Sequence, residues 1–234
     1  MDGDGSPARA FHGRRKGKRL RDAQSDRLGR ILPRLRIEAD GAGPIDPRSL
    51  FDRPVERIVL EIGFGGGEHL AACAAAERTA GFIGVEPFVN GMAKLFAAVE
   101  TERLDNVRVF DDDATLLLPR LPPGSVDAVF LLFPDPWPKR RQRKRRFVSD
   151  ENLGLIARAL RPGGEFRFAT DIDDYAGWTL ARVLRSPDFA WRPERADEWR
   201  RPWDGWPGTR YEAKAAAAGR GASYLRVLRA SVAA

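Results

Sequence analysis

Residues 126–139 limit the fold more than any other stretch of the chain. Residues 126–133 form an apolar run with the length of a buried strand, and Pro134, Pro136 and Pro138 follow within five positions. Proline has no N–H to donate, fixes its own φ and disfavours helix at the preceding residue, so neither a sheet ladder nor a helix continues past Phe133. The strand therefore runs into a stiff turn bearing Asp135, Trp137 and Lys139. In open parallel α/β sheets the carboxyl end of a strand is where ligands bind.

The rest of the chain supplies the partners such a strand needs. Residues 57–62, 81–86, 106–110, 165–170 and 224–229 read as further strands. Helical patterns occupy 68–77, 90–101, 149–160 and 173–184, and the Arg161-Pro162-Gly163-Gly164 sequence reads as a helix stop. Alternating strands and helices predict a doubly wound, mainly parallel α/β sheet of the Rossmann-like type. Residues 1–30 are expected to be a basic, flexible N-terminal arm, with 31–234 as one domain. Within that domain, 31–38 is a short element of undecided type and 41–54 is an approach loop.

Charge adds a partner class. The chain carries 40 Lys and Arg against 33 Asp and Glu, a net charge of +7. Arginine-rich composition alone says little, but clustering says more: seven cations fall between Arg9 and Arg21, and seven more between Lys139 and Arg146. Two such patches suit a phosphate backbone. The single cysteine, Cys73, lies among alanines and reads as a small core residue; with no possible intrachain disulfide, a reducing, cytoplasmic setting is expected. His12 and His69 lack ligand spacing, so no metal site is expected. No apolar run is long enough for a membrane span, and the N-terminus lacks a signal-type apolar region.

The glycine turn Gly63-Phe64-Gly65-Gly66-Gly67 lies between a strand and a helix, behind Glu61. Glycines there allow a tight turn and close approach of a ligand to backbone. Glu86 ends the next strand, where a carboxylate can accept from ribose hydroxyls. Asp113 follows the third strand and can accept from an adenine amino group; Asp111 and Asp112 can do the same, and spacing does not choose among them. Carboxylates around a glycine turn favour a cationic ligand and repel a pyrophosphate. That points to S-adenosyl-L-methionine ahead of a dinucleotide. Trp199, Trp203 and Trp206 are expected mostly to pack a long loop against the sheet, just before Thr209-Arg210-Tyr211-Glu212.

Taken together these residues resemble the bacterial tRNA (guanine-N7)-methyltransferase family, a class I S-adenosylmethionine-dependent group, over nearly the whole chain. The most specific element is Phe133-Pro134-Asp135-Pro136-Trp137-Pro138-Lys139 with its basic run. Leu60-Glu61-Ile62-Gly63-Phe64-Gly65, Ala169-Thr170-Asp171 and Thr209-Arg210-Tyr211-Glu212 follow. The resemblance implies methylation of N7 of a variable-loop guanosine in tRNA. Glu61, Gly63, Gly65, Glu86, Asp113 and Asp135 would bind the cofactor, with Asp135 the central active-site acid. Lys139, Asp171, Thr209, Arg210, Tyr211 and Glu212 would contact substrate. Arg141, Gln142, Arg143, Lys144, Arg145 and Arg146 would contact RNA. Arg210 and Tyr211 depart from the family's usual T-K-F-E.

No DNA, membrane or metal partner is expected, and the oligomeric state, monomer or homodimer, is open. Two rivals stand beside this reading. Amino-group methylation of adenine goes with an Asp/Asn-Pro-Pro-aromatic corner, and Asp135-Pro136-Trp137 lacks the second proline. A non-catalytic RNA-binding module would not need the set Glu61, Gly63, Gly65, Glu86 and Asp135.

Overall fold

The computed structural model describes residue 15, residues 17–39, residue 41, residues 43–195 and residues 197–231. Much of the expected arm, with the cations before Arg15 and with His12, lies outside the described residues. The arm's expected extent to residue 30 needs correction. A helix, α1, already spans Asp22–Leu35, and its Ile31 and Leu35 are buried. The polar, arginine-rich surface of this helix hides its amphipathic face from a composition reading; two buried apolar residues one turn apart are enough to seat it.

Five strands alternate with helices as expected. They are β1 (Ile58–Ile62), β2 (Gly81–Val85), β3 (Val107–Phe110), β4 (Val126–Leu132) and β5 (Leu160–Thr170). The helices between and after them are α2 (Glu68–Ala76), α3 (Val89–Glu102), α4 (Ala114–Leu117), α5 (Asp150–Ala159) and α6 (Asp173–Arg185). A two-residue strand, β6 (Phe189–Ala190), a helix, α7 (Arg210–Ala217), and β7 (Ser223–Arg229) complete the order. The helix stop at 161–164 holds, but the following strand starts earlier than expected. Helix α5 ends at Ala159, and the backbone enters β5 directly, with an irregular register opposite Val126 and Ala128.

The strands form one seven-stranded sheet in the order β3-β2-β1-β4-β5-β7-β6. The ladders from β3 across to β5 are parallel; β7 runs antiparallel to both β5 and β6. Side chains alternate between two cores. Leu60, Ile62, Val129 and Leu131 enter one, while Val59, Phe130 and Leu132 enter the other. Such double coverage is what a parallel sheet requires. The order reverses between β1 and β4, so a crevice opens at their carboxyl ends, and the glycine turn and the proline corner both emerge there. Among the described residues no helix is long and apolar enough to cross a membrane.

Candidate active site

A cavity of about 1140 Å³ occupies that crevice. It is lined by Gly63 and Gly65 after β1, Glu86 after β2, Asp113 after β3 and Asp135 after β4. Phe88, Trp137, Lys144, Arg145 and Tyr211 also line it. Each acid follows the carboxyl end of a parallel strand, so sheet topology alone gathers residues far apart in sequence.

The glycine turn is built for close approach. Gly63 and Gly65 sit at φ +72° and +58°, a region L side chains rarely adopt. A Cβ on Gly91 would fall 2.0 Å from the Gly65 carbonyl oxygen, so α3 packs directly on the turn. Glu86 braces the same place: its Oε2 accepts from the Gly65 N–H at 2.7 Å and its Oε1 from the Phe88 N–H at 3.0 Å. Burial pushes the Glu86 carboxyl up to about 7, against the lowering effect of those two N–H groups, and nearby Asp135 pushes in the same direction. Glu86 makes no ion pair among the described residues. A carboxylate held this way has lone pairs left for hydroxyl donors and gains from a cationic ligand. Asp113 caps α4, its Oδ1 accepting from the Thr115 N–H at 2.9 Å, while it also faces the cavity. An acid set of this kind around glycine backbone fits a ligand carrying hydroxyls, an amino group and positive charge.

Asp135 is exposed at the cavity, on a strained corner. Phe133 and Trp137 have φ of +49° and +41°, two of three non-glycine residues with positive φ among those described. Such backbone costs about 1–3 kcal/mol per residue and persists only where surrounding contacts impose it. The Phe133 N–H donates to the Ala169 carbonyl at 2.7 Å, and Arg145 stacks 5.0 Å from the Trp137 ring.

Other expected site residues are placed differently. Glu61 is buried away from the cavity lining, with Oε2 2.6 Å from His69 Nδ1. Its β1 position turns it to the face opposite Ile62. Lys139, Arg141, Gln142 and Arg143 lie outside the lining, on the 3-10 turn Arg140–Arg145 and the residue before it; Arg143 pairs with Asp174 at 2.7 Å. Arg146 borders the cavity, but its side chain is fully buried and presents no surface guanidinium. Asp171 pairs with Arg220 at 2.8 Å. Thr209 caps α7, and Glu212 accepts from Trp206 Nε1 at 2.7 Å and from the Tyr224 hydroxyl. Tyr211 lies against the glycine turn, its Cε2 3.3 Å from where a Gly65 Cβ would be, and Arg210 donates to the Tyr211 hydroxyl at 3.1 Å. Trp203 and Trp206 do pack, against Phe130, His69 and Tyr224. Cys73 is half-buried, its Sγ 3.5 Å from His69 Nε2. Sequence reasoning missed Phe88, Gly91 and His69. No local signal marks Phe88, but a glycine in the first turn of a helix is a hint of close packing. Among the described residues, no cluster of three or more His, Cys, Asp or Glu could hold a metal ion.

Comparison with known proteins agrees with this architecture. A family model described as "Putative methyltransferase" matches residues 55–225. The tRNA (guanine-N(7)-)-methyltransferase of Azorhizobium caulinodans is 57% identical over 220 residues, covering 94% of this chain and 95% of the relative. The protein of the same name from Rhizobium meliloti is 55% identical over 221 residues, covering 94% and 95%. Among solved structures, the 16S rRNA methyltransferase KamB superposes with a TM-score of 0.53 at 18% identity, covering 79% of this chain and 91% of that one, a likeness of fold. By the family model and by identity across nearly its whole length, the chain belongs to the tRNA (guanine-N7)-methyltransferase family.

Proposed function

We propose that this protein transfers a methyl group from S-adenosyl-L-methionine to N7 of a guanosine in the variable loop of tRNA. One observation carries the reading. Asp135, on its strained corner, faces the same cavity as Glu86 and Asp113, and the exposed cations Lys144 and Arg145 line it too. Acids suit a cationic cofactor and a purine with N–H donors; cations suit the phosphates that deliver that purine.

S-Adenosyl-L-methionine, bound there, supplies an electrophilic methyl group on a sulfonium. Glu86 would hold the ribose hydroxyls, and Asp113 would accept from the adenine amino group. Gly63 and Gly65 would let the ligand lie against backbone, beside Tyr211. Guanine N7 has a lone pair and no proton, so no residue need act as general base. The work left to the protein is positioning and electrostatics. Asp135 would accept hydrogen bonds from guanine N1–H and the 2-amino group, and its charge would become more favourable as the purine turns cationic. Its proximity to Glu86 also supports a second role, in which Asp135 holds the cofactor's ammonium. Lys144 and the exposed Arg140 and Arg141 would neutralise tRNA phosphates.

The test is direct. The protein is incubated with labelled S-adenosyl-L-methionine and bulk unmodified tRNA, and the labelled nucleoside is identified. The cationic, alkali-labile N7-methylguanosine is expected. Label on an adenine amino group, or no transfer, overturns the reading.

A further inference from the structure

The basic run after the proline corner is not one uniform surface. Arg140, Arg141 and Lys144 are exposed, whereas the Arg146 side chain is fully buried. Arg146 Nε donates to the Pro136 carbonyl at 2.8 Å, its Nη1 reaches the Asp174 carbonyl at 3.4 Å, and its Nη2 donates to the Asp174 carboxylate. Its guanidinium lies 4.7 Å from the Tyr175 ring centre and 5.1 Å from that of Trp178. Those rings are themselves fixed. The Tyr175 hydroxyl accepts from the Val148 N–H, the Trp178 indole donates to the Val148 carbonyl, and Arg182 stacks 3.4 Å from the Trp178 ring.

The corner needs such an anchor. Three of the five residues 134–138 have no N–H, so the backbone holds itself poorly, and Phe133 just before it and Trp137 within it adopt disfavoured conformations. The Pro136 carbonyl adjoins Asp135. A planar guanidinium reaches this carbonyl and α6 together while stacking on two rings; an ammonium has neither the fork nor the flat face.

We propose that Arg146 is a positioning residue that ties the Asp135 corner to α6, and is not one of the run's phosphate contacts; the proposal rests on the methyl-transfer reading above. Its test uses Arg146→Lys and the milder Asp174→Asn in the full-length protein. Three quantities are measured: single-turnover methylation of unmodified tRNA at saturating tRNA and cofactor, tRNA affinity as a function of salt, and hydrogen exchange of the Asp135 and Trp137 amides. For Arg146→Lys the expected result is a rate about 10²-fold lower, the scale of misplacing a reacting group by an ångström. The salt slope should stay that of wild type, and exchange at the corner should quicken. Asp174→Asn, which also releases Arg143, should move the rate and exchange in the same directions by less, and rate together with corner exchange decides the matter if Arg146→Lys does not fold. The proposal is overturned if the salt slope flattens by about 0.7–0.9, the loss of one phosphate contact, with the saturated rate unchanged. It is equally overturned if rate and corner exchange both match wild type. Should wild-type protein fail to methylate tRNA, the methyl-transfer reading fails by itself, and the exchange comparison still decides whether Arg146 holds the corner.

Discussion

Glu61 Oε2 lies 2.6 Å from His69 Nδ1, with both side chains almost completely buried. The pair spans the glycine turn, joining the end of β1 to the first turn of α2. Burial alone would lower the imidazole's pKa, but the Glu61 carboxylate and the Cys73 sulfur raise it, to about 10. The motif acid thus closes the turn from behind while Glu86 braces it from the cavity side.

His69→Leu should leave Glu61 buried without its counter-charge, at a cost of about 3–5 kcal/mol. A double variant, Glu61→Leu with His69→Leu, should recover much of that loss. The folded state holds a proton on His69 that the unfolded chain gives up near its ordinary value of 6.5. The pair's contribution is therefore complete below 6.5 and fades as pH rises through about 10. Thermal melts across that range check both points; a wild type that loses no more stability with rising pH than the double variant does would refute a charged pair.

Glu86 offers a pH signature for cofactor binding. Its folded value near 7, above the ordinary 4.5, means the native protein still binds a proton there at neutral pH. By the same sign rule, the associated stability is present below 4.5 and lost as pH rises through about 7. A cationic ligand favours the ionised form, so binding S-adenosyl-L-methionine at neutral pH should expel a proton, and at about pH 9 should not. Calorimetry in buffers of different ionisation heat measures this release. Glu86→Gln should abolish it and weaken binding by about 1–3 kcal/mol. Binding without proton release at neutral pH would remove Glu86 from the cofactor.

Asp135→Asn keeps the side chain's shape and removes its charge. Asp135 is exposed, so the variant should fold and bind tRNA nearly as wild type does. Single-turnover methylation should fall by about 10²–10³, the usual loss for a preorganised electrostatic contact. Cofactor affinity assigns the role: if it falls in parallel with the rate, Asp135 holds the ammonium rather than guanine. Near-wild-type turnover would return the corner to a plain structural turn.

Replacing the exposed Arg140, Arg141 and Lys144 with Ser should weaken tRNA binding and flatten its salt dependence by about 0.7–0.9 log units per lost contact. Cofactor affinity should hold. Filter binding across a salt series provides the readout; an unchanged slope would make these three a merely solvated face.

The sheet was readable because its signals are local. Apolar runs of strand length, a glycine turn and a proline corner each act within a few residues; Glu86 and Asp135 were legible as strand-end acids, and Asp113 only as one of three acids that spacing does not separate. What was not legible depends on contacts across the chain. Nothing next to Glu61 marks its turn toward His69, and nothing within residues 140–146 separates buried Arg146 from exposed Lys144. Both distinctions come from α6 and α2 packing on the sheet. Helix α1 was missed because its buried Ile31 and Leu35 sit among charged residues, and α7 because its amphipathic face is short.

The two borders of the sheet have a consequence for how the protein behaves at high concentration. A bare border strand offers unpaired N–H and C=O groups on which another chain can add. Here β6 is two residues long, and beside β3 the Ile37 N–H already donates to the Val109 carbonyl at 2.8 Å, with Arg36 bridged to Val109. The β3 border is thus partly paired within the chain and β6 is too short to template a long ladder, while the net charge of +7 adds repulsion between copies.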